Sequence, residues 1–344
     1  MNRHASLLAT AAVALVLSTP AFAQQSSSAT APAATSTSNH AVIGDWGFDP
    51  SSMDVTTKPG NDFNRYASGG WLDATTIPAD RPSWSVWDVI YDQGQEQLKA
   101  IIANSAAHPG SSPEAQRIGD FYASYMDEAA VNALGAKPLE PGLAAIRAAH
   151  DRTDIAKLMG ESFGRAGNSL FTIYIDSDLK APDTNSAYLG QSGLGLPDRD
   201  YYLEASFADK KTAYQAYVAQ MLGKIGWADA DKAAADIVAF ETKIAEKHWT
   251  RAQSREMDDT YNAMTLAEVA AYAPGFDWAA WSTAAGIPAT AHTVVGEKTA
   301  FPELARIFAE TDLDTLKAYE AFHYVDQSAS VLSSDFVDAR FAFR

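Results

Sequence analysis

Asp62-Phe63-Asn64-Arg65-Tyr66-Ala67-Ser68-Gly69-Gly70-Trp71 follows Lys58-Pro59-Gly60-Asn61 and precedes Ile77-Pro78-Ala79-Asp80. Its aromatics lie beside a Gly-Gly pair, which predicts a short helix ending at the glycines with Phe63, Tyr66 and Trp71 packed inward. The next stretch, Ile77-Pro78-Ala79-Asp80-Arg81-Pro82, reads as rigid and extended, because each proline restricts the residue before it.

Outward from there the apolar spacing is helical. Trp84, Val86, Trp87, Ile90, Tyr91, Leu98, Ile101 and Ile102 predict a long helix over 83–107 whose aromatics pack into a core. Ser112-Pro113-Glu114 restarts helix, with Ile118, Phe121, Tyr122, Tyr125 and Met126 as its buried stripe. Two more helices are expected at 139–149 and 153–165, the second capped by Asp151 or Thr153. The pattern then changes to strand: Phe171 to Asp176 and Ala187 to Gln191 predict a small β-hairpin turned through Asp178, Pro182, Asp183 and Asn185. Gly193-Leu194-Gly195-Leu196-Pro197-Asp198-Arg199-Asp200-Tyr201-Tyr202 follows as a compact turn leading into helix. Helical spacing resumes at 210–225 (Tyr214, Tyr217, Val218, Met221) and 228–250 (Ile237, Phe240, Ile244), then at 265–271, 278–284, 302–308 and 313–332. Val294 and Val295 read as a short extended segment. The fold class is therefore mainly α, with many helices and one hairpin. Phe336, Phe341 and Phe343 crowd the end of the chain, which implies either insertion into the core or a continuation that would cover them.

Composition bounds what such a fold can do. Arg3 and His4 before the apolar run Ala5 to Leu17, and then Ala21-Phe22-Ala23, read as a signal peptide over 1–23. Residues 24–40 are Ser, Thr, Ala, Pro and Gln, too polar to repay ordering, and read as a disordered linker. A helical domain is expected over 41–344, in a periplasmic or secreted protein with no membrane insertion after signal cleavage. There is no cysteine; a chain this long can bury roughly 70–75% of its unfolded surface without disulfides. The formal charge of −17 and the absence of a Lys/Arg cluster exclude nucleic acid as a partner.

Local motifs do not supply a catalytic centre. None of the seven histidines begins His-Glu-x-x-His. Glu241, Glu246 and His248 are the nearest approach to a ligand set. On a helix, however, Glu241 and Glu246 point about 140° apart, and Glu241 and His248 are roughly 10 Å apart along the axis. A solvated polar face is the simpler reading. Gly160-Glu161-Ser162-Phe163-Gly164 matches Gly-x-Ser-x-Gly, but Ile155, Leu158 and Met159 put Ser162 near a helix end instead of on a strand-to-helix elbow. Gly193-Leu194-Gly195 lacks the third glycine and the strand-helix-strand unit of a dinucleotide fingerprint. Arg199, between Asp198 and Asp200, either receives a carboxylate or organises its turn. Asp176 with Asp178 and Asp258 with Asp259 are paired acids without a visible cleft.

Taken in order, several of these segments resemble one family. The stretch Lys58 to Trp71 with Ile77-Pro78-Ala79-Asp80 resembles the opening signature of neprilysin/endothelin-converting-enzyme-like zinc metallopeptidases, often Pro-Cys-Asp-Asp-Phe-Tyr-x-Tyr-Ala-Cys-Gly-x-Trp. Gly60 and Ser68 stand at its cysteine positions, so the disulfides tied to this region are absent here. The resemblance continues through Gly193 to Tyr202, Arg255-Glu256-Met257, Tyr261 to Leu266, Phe276-Asp277-Trp278 and the segment from Phe336 to Phe343. It implies the N-terminal helical lobe of a bilobed extracytoplasmic endopeptidase that helps enclose a substrate chamber. It also implies that zinc, needed by the complete family enzyme, is held by motifs absent before Arg344, so this chain has no cofactor of its own and no catalytic or metal residue to name. The family's substrate-binding arginine and the acid five residues later fall at Ser83 and Asp88, with Arg81 offset by two. Asp88 is thus the one candidate substrate-binding residue, beside a purely structural role. The implied partners are a peptide substrate, if a catalytic half completes the site, and a separate catalytic chain. The alternatives are a non-catalytic peptide-binding or scaffold protein and one chain of a split peptidase.

Overall fold

The computed structural model describes residues 49–344, so the expected signal peptide and linker lie outside the described residues. The described residues divide into two compact units, the first ending at Gln95 and the second spanning residues 96–344. The first holds α1 (Phe63–Ala74) and the start of α2 (Val86–Ala107). The second continues with α3 (Pro113–Met126), α4 (Glu128–Leu134), α5 (Glu140–Ala148), α6 (Arg152–Glu161), β1 (Phe171–Ser177) and β2 (Asn185–Gln191). After these come α7 (Asp200–Leu203), α8 (Ala208–Lys224), α9 (Ala230–Lys247), α10 (Met257–Thr260), β3 (Asn262–Met264), α11 (Leu266–Tyr272) and α12 (Trp278–Ala284). The order closes with β4 (Thr293–Val295), α13 (Ala300–Glu310), α14 (Leu313–Ser328) and α15 (Ser334–Phe343). This is the expected mainly helical lobe with a small sheet.

In the first unit, Asp62 caps α1 by accepting from the Arg65 backbone N–H at 2.8 Å. The helix does not stop at the glycines; it runs through them to Ala74. A Cβ on Gly70 would lie 2.2 Å from the Ser51 carbonyl oxygen, and one on Gly69 would lie 2.5 Å from Asp54 Cβ. The pair is there for the close approach of the 3-10 turn Pro50–Ser52, not to end the helix. Phe63 is 70% exposed, against the expectation that it packs inward, while Tyr66 and Trp71 are half-buried.

Helix α3 begins as expected, with Ser112 Oγ accepting from Ala115 N–H at 3.1 Å and Pro113 in the first turn. Its stripe does not find a core: Phe121 is 74% and Tyr125 58% exposed, and Ile118, Tyr122 and Met126 are exposed too. The same correction applies to α2, where Trp87 is 76% exposed and Ile90, Tyr91, Leu98 and Ile101 are also open. The spacing of these helices was legible; the burial was not.

From α5 onward the second unit has a continuous core. Asp151, one of the two expected caps, holds α6 by accepting from Asp154 N–H at 3.0 Å. The hairpin forms with Phe171 opposite Gln191 and Ser177 opposite Asn185. It is part of a larger mixed sheet ordered β1-β2-β4-β3, in which β2 and β4 run parallel and β3 and β4 antiparallel. β3 is too short for alternation to announce it. An aromatic layer packs the sheet onto the helices: Phe171 meets Trp278 at 4.4 Å between ring centroids, and Phe276 meets Phe308 at 4.9 Å. α14 is central, burying Leu316, Tyr319, Phe322 and Val325 together with Glu320, His323 and Asp326.

The terminal aromatics insert into this core in part. Phe336 is buried, and Phe343 stacks on Tyr217 at 4.6 Å, while Phe341 is 87% exposed. Asp326 ties α15 down: Arg340 Nη1 reaches Oδ1 at 2.9 Å and Arg344 Nη2 reaches Oδ2 at 2.6 Å. Tyr217 completes the set by donating to Oδ1 at 2.6 Å.

Candidate functional site

The segment Gly193 to Tyr202 is organised around Glu241, which projects from α9. This carboxylate is fully buried, so the expectation of a solvated polar face is wrong for Glu241 and holds only for the exposed Glu246. Tyr202 donates to Oε2 at 2.7 Å, Tyr214 to Oε1 at 3.0 Å, and His323 Nε2 lies 2.8 Å from Oε1. The Tyr202 hydroxyl in turn accepts from the Gly195 and Leu196 backbone N–H groups at 3.1 and 2.9 Å. Burial, then the Glu241 charge, push the Tyr202 and Tyr214 hydroxyls well above the ordinary tyrosine range, so both stay protonated as donors. A Cβ on Gly195 would lie 1.8 Å from the Tyr214 hydroxyl, which accounts for glycine at that position. Tyr319 fastens the other end, donating to the Gly193 carbonyl at 2.9 Å.

This hub is built to hold a loop, and its donors do not make a zinc site. Oε1 of Glu241 already accepts two bonds, and only His323 joins it as a ligand type, whereas zinc needs three or four converging donors. Among the described residues no group of three or more His, Asp or Glu side chains could hold a metal ion, and the sequence has no cysteine. A signal for the hub existed in the sequence. Glu241 falls at the stripe spacing of Ile237 and Ile244, and His323 and Asp326 fall inside the apolar run of α14, so each occupies a core position with a polar side chain.

The other sequence candidates separate. His248 is not beside Glu241 as a ligand; its Nε2 lies 3.1 Å from the Ser192 carbonyl, and burial lowers its pKa to about 4, so it is neutral near pH 7. Arg199 takes the structural of its two readings: Nε donates to the Ala245 carbonyl at 3.2 Å and Nη1 to Asp200 at 3.3 Å. Ser162 Oγ donates to the Met159 carbonyl at 2.7 Å at the end of α6, not on an elbow. Asp178 is a buried turn anchor that accepts from Tyr261 and Ser186, each at 2.7 Å; these bonds lower its pKa to about 2. Neither Asp176 nor the pair Asp258 and Asp259 belongs, among the described residues, to a group of three or more side chains that could hold a metal ion.

In the first unit, Asp88 lies in the first turn of α2. Ser85 Oγ donates to its Oδ2 at 2.6 Å, and Arg81 Nη1 is 3.6 Å from Oδ1. Arg81 also reaches Asp92 at 2.8 Å and covers the Trp84 ring at 5.1 Å. An arginine does stand beside Asp88, then, but it comes from position 81, seven residues earlier, while Ser83 contributes nothing to the pair. The Ser85 hydrogen bond, ahead of the Arg81 charge, holds the Asp88 carboxyl below its usual range.

The class these features define is a mainly helical lobe with a small mixed sheet and a buried polar hub, in which no three His, Asp or Glu side chains among the described residues could hold a metal ion. The model of peptidase family M13 matches residues 59–344, and the chain belongs to that family, as its N-terminal half. It is 28% identical over 302 residues to endothelin-converting enzyme 1 of Rattus norvegicus and 29% identical over 304 residues to that of Homo sapiens. Each match covers 84% of this chain and 39% of the relative. The crystal structure of the zinc metalloprotease ZMP1 of Mycobacterium tuberculosis with an inhibitor superposes with a TM-score of 0.73 at 32% identity. That match covers 86% of this chain and 46% of the other. The chain therefore spans less than half the length of the relatives it matches.

Proposed function

We propose that this chain is the substrate-chamber portion of a periplasmic or secreted zinc metalloendopeptidase, inactive alone and dependent on a catalytic half supplied with it or as a separate chain. The carrying observation is the family match over residues 59–344 on a chain whose described residues converge no three metal ligands. No helix among the described residues is long and apolar enough to cross a membrane. The open face of α3, with Phe121 and Tyr125, supports a covering partner better than the terminal aromatics do, because Phe336 and Phe343 are already packed. Asp88, held by Ser85 and beside Arg81, is our candidate for receiving the C-terminal part of a peptide.

The test is reconstitution. The purified chain should neither take up zinc stoichiometrically nor cleave peptides, and cleavage should appear on co-expression with an M13 catalytic half. Asp88→Asn should then raise KM with kcat little changed. Zinc-dependent turnover by this chain alone would falsify the reading; specific peptide binding with no gain on adding a catalytic half would favour the scaffold alternative.

A further inference from the structure

A cavity of about 460 Å³ lies between the Gly193-to-Arg199 turn and the residues after α9. Its charged lining is Arg199, Arg251 and Arg255 against one acid, Asp198, with His248 held neutral. This runs against the −17 charge of the chain. A larger cavity, about 720 Å³, carries Arg147, Lys232 and Lys317 against four aspartates and has no such bias.

The three arginines are not equivalent. Arg199 is committed to the Ala245 carbonyl and Asp200. Arg251 engages Asp198 through Nε, and its Nη edge makes no other bond among the described residues. Arg255, exposed at the rim, has no acidic partner among the described residues. Beside them the wall is apolar, from Leu194, Leu196, Pro197 and Trp249. Trp249 is fixed from both ends: Gln191 Oε1 accepts its backbone N–H at 2.7 Å, and its indole N–H donates to Thr299 Oγ1 at 2.7 Å.

A guanidinium fork matches a planar carboxylate, and an apolar wall next to it matches a methylene stem. We propose that this cavity binds a peptide through an acidic side chain, the carboxylate lying on Arg251 and Arg255 and the stem along Trp249 and Leu194. The inference goes beyond the peptidase reading and needs no catalytic half, so its failure would leave the reconstitution test untouched.

The experiment uses the full chain, labelled with 15N, at low salt, following the Trp249 indole resonance assigned with Trp249→Phe. The probes are an acetylated and amidated tetrapeptide containing glutamate, the same peptide with glutamine, and inorganic phosphate. The glutamate peptide should shift the Trp249 signal saturably, and the glutamine peptide should not. Phosphate should compete only weakly. Arg255→Gln should weaken binding about tenfold, since a hydrogen bond to a charged group carries that much, while Arg117→Gln on α3 should leave it unchanged. Arg255 has no structural partner among the described residues, so its variant remains informative even if Arg251→Gln does not fold. Equal binding of the glutamine peptide, tighter binding of phosphate, or an unchanged Arg255→Gln affinity would each overturn the assignment.

Discussion

Helices α3 and α14 carry the same kind of sequence, aromatics at three- and four-residue spacing, and meet opposite fates. In α14 the stripe of Tyr319 and Phe322 is fully buried, and even Glu320, His323 and Asp326 are taken out of water. In α3 the equivalent stripe of Phe121, Tyr122 and Tyr125 faces solvent. Periodicity reports that a face is suited to burial; whether anything covers it is a property of the neighbours. α14 has α5, α6, α8 and α9 around it, and the polar groups it buries have partners to meet, Glu320 Oε1 excepted. Burial pushes the Glu320 carboxyl well above its ordinary pKa, which favours the neutral acid there.

The contrast is sharpest where removal should cost most. Phe322→Ala, and independently Glu241→Ala, should each lower unfolding free energy by about 3–5 kcal/mol, the first through a core cavity and the second by stranding buried donors. Guanidinium denaturation of the full chain measures both, and a loss below about 1 kcal/mol for either would mean that the packed region is looser than it looks.

A smaller effect is expected in the first unit. Gly70→Ala should cost about 1–3 kcal/mol, because its Cβ would overlap the Ser51 carbonyl. Hydrogen exchange should locate that loss in residues 49–74 and leave α14 protected; uniform loss of protection would break the distinction between the regions.

His248 adds a pH dependence to the packed side. Its folded pKa, about 4, is below the ordinary value of 6.5, so the unfolded chain binds the extra proton between those values. Stability from this group is fully present above about pH 6.5, declines as pH falls, and stops declining near pH 4. Replacing His248 with Gln should flatten that limb of a denaturation-midpoint profile; an identical slope in the variant would rule His248 out as its source.

The smallest change belongs to the open face. Phe121→Gln with Tyr125→Gln should alter the stability of the chain alone by no more than about 0.5 kcal/mol. The same pair should sharply reduce recovery of activity with a catalytic half. A large loss of stability in the chain alone would show that α3 is packed after all.

How much was legible depends on how local the cause is. Asp151 and the Ser112-Pro113 start were readable because a cap acts on N–H groups two or three residues away. The hairpin was readable because its turn and its alternation lie in one stretch of chain. β3 was not, since three residues form a strand there only because β4 offers an edge. Gly69 and Gly70 stand out in the sequence but the reason for them does not, because the groups they make room for, Ser51 and Asp54, are fifteen or more residues away in sequence. Glu241 reads as a surface acid in the sequence because its partners, Tyr202, Tyr214 and His323, are contributed by α7, α8 and α14.

The sequence by itself determined the helical class, the order of most elements and, through a series of matching segments, the family. Those properties follow from spacing and from residues adjacent along the chain. Only the tertiary structure decided which apolar stripes are covered, that Glu241 and Asp326 are buried anchors and not surface charges, that Arg81 stands where Ser83 could not, and that three arginines share one cavity. Each of these depends on groups far apart in sequence meeting within a few ångströms, and one-dimensional spacing carries no such distance.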